Sequence, residues 1–159
     1  MLTRRDGLRA MTAALLLGTV IAVCPALAQD SDQADEPRLA LKGYDPVAYF
    51  TEGRPMLGNA EFESTLDDAR YRFASAEHLT LFENNPDRYV PQYAGSCAGA
   101  MSFGLKIEAN PENWLISDGR LFVFAGDRAP TSFTADQAAA ADRNWQELKE
   151  APFGTDLRQ

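Results

Sequence analysis

Residues 70–89, RYRFASAEHLTLFENNPDRY, carry the densest fold information in this 159-residue chain. Tyr71 and Phe73 alternate with Arg70, Arg72 and Ala74, the two-residue period of a half-buried strand. Ser75 then offers a hydroxyl to cap a helix, and Leu79 and Phe82 share one helical face at i, i+3. Pro86 closes that helix, because the residue before a proline is pushed out of the helical region. A strand running directly into a capped helix, with polar residues on one side of each, predicts α and β elements sharing one core.

Outward from this stretch, residues 61–66 and 70–74 flank Asp67-Asp68-Ala69 as a hairpin. Pro46-Val47-Ala48-Tyr49-Phe50 is expected to be extended, and residues 53–58 form a turn-rich connection. Residues 94–103 are expected to be helical, ending at Gly104. Residues 114–116 and 121–124 flank Ser117-Asp118-Gly119-Arg120, where Asp-Gly signals a second hairpin. Thr134 caps a long helix to about residue 149, with Ala138, Ala141, Trp145 and Leu148 on one stripe. No internal repeat is legible. The expected class is α+β: one small domain of short β-hairpins packed with several helices.

The N-terminus follows a different logic. Arg4, Arg5 and Arg9 precede an apolar run that ends in Ala26-Leu27-Ala28, the order of an export signal. The paired arginines fit the twin-arginine route, although Gly7 stands where Phe is usual. The apolar run is shorter than the roughly 20 residues of a membrane span. Cleavage is expected after Ala28 rather than before Cys24, which follows the large Val23. Residues 29–38 are acidic and read as a disordered leader, residues 39–151 as the domain, and residues 152–159 as a C-terminal tail. The expected location is periplasmic, with no membrane insertion after cleavage. The cleaved chain would carry 12 basic and 22 acidic residues, a net charge of −10. Such a surface speaks against nucleic acid as a partner. A monomer is expected.

Cleavage would leave Cys97 as the sole thiol, excluding an internal disulfide and a multi-cysteine zinc site. On a helix over 94–103, Cys97 and Met101 would share a face at i, i+4. Thiolate and thioether are soft donors that select Cu(I). His78, the only histidine, could add a nitrogen. The competing interpretation is structural: a free Cys is among the most buried residue types, and Met fills core gaps. Tyr44, Tyr71 and Tyr93 are candidates to line a pocket beside Cys97. Asp45, Asp67 and Asp68 suit turn chemistry. Ser75 and Ser96 lack a nucleophile-elbow motif, and no Asp is indicated behind His78. The glycines do not have the spacing of a phosphate-cradling loop.

The segments Leu41-Lys42-Gly43-Tyr44-Asp45-Pro46-Val47-Ala48-Tyr49-Phe50, residues 71–78, Phe82 with residues 85–89, and residues 91–98 together resemble the YHS-domain family in its small exported form. Trp114 and the hairpin after it also fit. Ala94 and Ser96 depart from it, standing where Gly and Tyr are usual. The resemblance implies metal binding, copper especially, in metal handling rather than catalysis, with a metal ion or a metal-handling protein as partner. The expected copper ligands are Cys97, His78 and Met101. One alternative is an accessory module that binds a small ligand or a protein while Cys97 simply packs. The other is an enzyme with Cys97 as nucleophile and His78 as base.

Overall fold

The computed structural model describes residues 37–159. The expected export signal, and the leader as far as residue 36, lie outside the described residues. The chain folds as a small α+β domain with two separate sheets.

Strand β1 (Arg38–Leu39) leads into a 3-10 turn, Ala40–Gly43, and helix α1 (Ala48–Thr51). Strands β2 (Asn59–Leu66) and β3 (Ala69–Phe73) form the first hairpin, and β1 pairs with β3 in parallel, giving the order β1-β3-β2. Helices α2 (Ala76–Asn84) and α3 (Pro86–Tyr89) follow, then a second 3-10 turn, Gln92–Gly95, and helix α4 (Ala98–Met101). Strands β4 (Asn110–Ser117) and β5 (Arg120–Phe124) make the second, antiparallel sheet. Helices α5 (Ala129–Ser132) and α6 (Ala135–Leu148) complete the fold.

Local chemistry explains several boundaries. The Ser75 hydroxyl accepts from the His78 amide and starts α2, and Pro86 starts α3 once α2 has ended. Thr134 and Gln137 form a reciprocal capping box on α6. The turns of both hairpins hold an aspartate, Asp67 and Asp118, in the left-handed region, which Asp tolerates better than most residues.

Two expectations are corrected. Residues 46–50 are not an extended segment: Asp45 caps a short turn of helix instead, its Oδ1 accepting from the amides of Val47 (2.8 Å) and Ala48 (3.3 Å). Residues 94–103 are not one helix. Tyr93 and Ala94 take left-handed conformations, the chain runs extended through Ser96 and Cys97, and only residues 98–101 are helical.

The fold also repeats itself, which side-chain identities did not reveal. Leu41 and Lys42 are left-handed ahead of Gly43, just as Tyr93 and Ala94 are ahead of Gly95. The Asp45 amide donates to the Met56 carbonyl (2.8 Å), and the Cys97 amide to that of Ile107 (2.9 Å). A short helix follows each, then a hairpin whose register shifts near its start, between Asn59 and Glu63 in one half and between Asn110 and Trp114 in the other. The Asn59 carboxamide oxygen takes the Glu61 amide, and that of Asn110 takes the Glu112 amide. Apart from the shared Gly43/Gly95 and the Asn-x-Glu at 59–61 and 110–112, the side chains differ between the halves, so the pattern emerges chiefly from dihedrals and hydrogen bonds.

Two core clusters form, and the one around β5 also takes Leu41 and Tyr49 from the first half. One cluster gathers Val47, Tyr71, Phe73, Phe82 and Tyr89, and the other is built around β5 with Cys97, Met101 and Leu148. Residues 152–159, the expected C-terminal tail, hydrogen-bond to the domain. Lys106 donates its amide to Thr155, Leu157 donates to Gly104, and Gly154 donates to Lys106. Among the described residues no helix is long and apolar enough to cross a membrane.

Candidate functional site

The repeated architecture places Asp45 and Cys97 at corresponding positions, just before the short helix of each half. Asp45 Oδ2 accepts from the Ala74 amide (2.8 Å), directly after β3. Cys97 Sγ accepts from the Ala125 amide (3.2 Å), directly after β5, and from the Ala100 amide (3.5 Å). Cys97 is buried beside Met101 in one cluster, and its thiol does the linking work that a carboxylate does in the other half.

His78 belongs to the other half. Its Nδ1 lies 2.6 Å from Asp45 Oδ2, while Nε2 faces Thr51 Oγ1 at 3.3 Å and Glu52 Oε1 at 3.9 Å. An aspartate therefore does stand behind the histidine, contrary to expectation. It was concealed by its sequence position, in the Tyr44-Asp45-Pro46 turn far from His78. The histidine it orients is aimed at Thr51, not at Cys97. Cys97 and Met101 belong to one core cluster, while the His78 ring nitrogens face Asp45, Thr51 and Glu52. Among the described residues, no group of three or more His, Cys, Asp and Glu side chains is placed to hold a metal ion.

The three tyrosines also separate. Tyr44 donates to Glu112 Oε1 (3.1 Å), away from any pocket with the other two, and that hydrogen bond raises its pKa. Tyr71 and Tyr93 share a cleft of about 650 Å³ bounded by the β2–β3 turn, the second 3-10 turn and the C-terminal end of α6. Cys97 does not line it. The Tyr93 hydroxyl leaves the cleft to donate to Asp142 Oδ1 (2.9 Å), so its ring serves as wall. Burial, then the bond to Asp142, pushes the Tyr93 phenol far above its ordinary pKa. Trp145 and Phe153 are further aromatic walls.

Two of the cleft's cations, Lys106 and Arg38, lie deeper than its acids, while Lys149 is exposed beside them. Lys106 is 6 % exposed, and its Nζ donates to the carbonyls of Leu148 (3.1 Å), Lys149 (2.8 Å) and Ala151 (2.6 Å). A cation there complements the negative end of the α6 dipole. The ammonium also sits 5.1 Å from the Trp145 ring centre and 5.4 Å from that of Phe153. Burial, and secondly the charge of Arg38, lowers the Lys106 pKa. Arg38 is half-buried, hydrogen-bonds the Ala94 carbonyl and stacks 4.9 Å over Phe153. Asp67, Asp68, Asp87 and Glu150 are exposed around the rim. Sequence reasoning missed Arg38, Lys106, Trp145 and Phe153. Arg38 and Phe153 had been assigned to the leader and the tail. The sole advance signal was the mixture of aromatic and basic residues near both chain-wise limits of the domain.

Comparison with protein-family models, curated proteins and solved structures finds no match to this chain.

Proposed function

We propose that this chain is a non-catalytic binding module that takes a small organic molecule into the cleft between the β2–β3 turn and the end of α6. One observation carries this reading: the cleft, at about 650 Å³, has aromatic walls and a few convergent polar groups. Ligand sites are typically concavities of about 300–1,000 Å³ with that composition. Cys97 then serves as a packed acceptor of backbone amides, the structural role weighed above. The His78–Asp45 pair ties α2 to the start of α1.

Trp145 supplies the test, since Trp114 packs edge-on against Tyr49 (5.3 Å between ring centres), outside the cleft lining. In a Trp114→Phe variant the remaining tryptophan emission reports on the cleft. A screen of small acids, amides and amines is expected to give compounds that shift this emission saturably and raise Tm. If no compound does so at millimolar concentration, the cleft is not a binding site. An anaerobic Cu(I) titration against Cys97→Ala addresses the competing copper reading: tight, Cys97-dependent binding would displace the present one.

A further inference from the structure

Tyr71 is 4 % exposed and lines the cleft, yet its hydroxyl makes no hydrogen bond to any described residue. The hydroxyl keeps access to solvent in the cleft, so its O–H is available to a ligand there. Arg38 lines the same cleft as Tyr71, and burial, with a smaller push from the Asp67 charge, holds this phenol above its ordinary pKa while the charge of Arg38 pulls the opposite way. The rest of the floor is cationic and differs in what it has to offer. Lys106 has spent all three of its ammonium hydrogens on the carbonyls at the end of α6. It contributes charge without a free donor. Arg38 commits one terminal nitrogen to the Ala94 carbonyl, and the other approaches Glu108 only at 4.0 Å, leaving N–H groups to spare.

We propose that the floor of this cleft binds the anionic group of its ligand, a carboxylate in the simplest case, between the Arg38 guanidinium and the Tyr71 hydroxyl. This inference rests on the cleft being the binding site. Its donor set is chemically coherent: a planar guanidinium and an O–H both donate to carboxylate oxygens, and the nearby Lys106 charge adds field without competing for geometry. The apolar body of the ligand would lie along Tyr93, Trp145 and Phe153. The rim acids disfavour a second negative charge at the mouth, so the class is a monoanion with an apolar or aromatic body.

The test compares benzoate and phenylacetate with benzamide, phenylacetamide and benzylamine on the full chain, following the indole N–H resonance of Trp145 and the heat of binding. The carboxylates are expected to bind at least tenfold more tightly than the matching amides. Arg38→Gln should erase most of that difference, and Tyr71→Phe should weaken the carboxylates about tenfold, the usual consequence of losing one hydrogen bond to a charged group. The wild-type comparison stands even if a variant folds poorly. Amides binding as well as carboxylates, benzylamine binding best, or Arg38→Gln binding carboxylates unchanged would each overturn the anion site while leaving the cleft as a ligand site. If none of the five compounds binds and the wider screen is also empty, both readings fail together.

Discussion

Replacing Asp45 by alanine would strip the acceptor from three backbone amides and one imidazole at once. The carboxylate is wholly buried, so the abandoned donors have no water to turn to. A loss of about 3–5 kcal/mol is expected, measured as a fall in the urea midpoint. His78→Ala should cost less, about 1–3 kcal/mol, because the three amides still hold Asp45 in place. The reverse order would mean that the imidazole, not the carboxylate, organises the contact. Neither residue's partner was evident from spacing. Asp45 and His78 are far apart in sequence, and Asp-Pro reads as a turn on purely local grounds. The turn is real, and so is the long-range bond; the first hid the second.

At the scale of elements, capping and turn chemistry were the legible part. Ser75 and Thr134 cap the helices they were expected to cap, and both hairpins turn where acidic residues can take left-handed conformations. The helix expected over residues 94–103 is cut short by the backbone demand of the second 3-10 turn. Tyr93 and Ala94 are held left-handed, an arrangement that costs roughly 1–3 kcal/mol per residue and persists only when the surroundings enforce it. Close approach of backbones is another demand that composition conceals. A Cβ on Gly58 would lie 2.5 Å from the Arg72 carbonyl carbon, across the irregular start of the first hairpin. Gly58→Ala is therefore expected to destabilise by about 1–3 kcal/mol, as overpacking does. Gly126→Ala, whose new methyl would meet nothing within 4 Å, should stay within about 0.5 kcal/mol. Equal thermal-unfolding shifts for the two would show that the hairpin yields.

On the scale of the whole molecule, the α6 helix is bound to the second sheet by a charge network that titrates. Arg120 donates to Gln92 Oε1 and to both carboxylate oxygens of Asp142, and the Tyr93 hydroxyl joins them. The Arg120 hydrogen bonds lower the Asp142 pKa, outweighing the burial that raises it. A carboxyl depressed in the folded state binds its proton more readily when unfolded. Its contribution to stability is therefore complete above the ordinary value of 3.8 and is lost as pH falls through the folded value. Asp142→Asn should flatten the acid side of the stability profile below about pH 4 and leave the shape above it unchanged. Denaturant midpoints at stepped pH measure this, and parallel profiles for the two proteins would dismiss the network.

The sequence by itself determined the α+β class, the two hairpins, the long capped helix and the apolar faces of β3, α2 and α6. These follow from periodicity, capping and turn propensity, which act over a few residues. Only the tertiary structure decided that the two halves repeat one backbone plan, that Cys97 occupies the place of Asp45, and that Asp45 stands behind His78. It alone also brought Arg38, Tyr71, Lys106 and Trp145 around one cleft. Those outcomes depend on which distant backbones meet, and that choice is made by the packing of the two cores, one of which runs from Leu41 to Leu148.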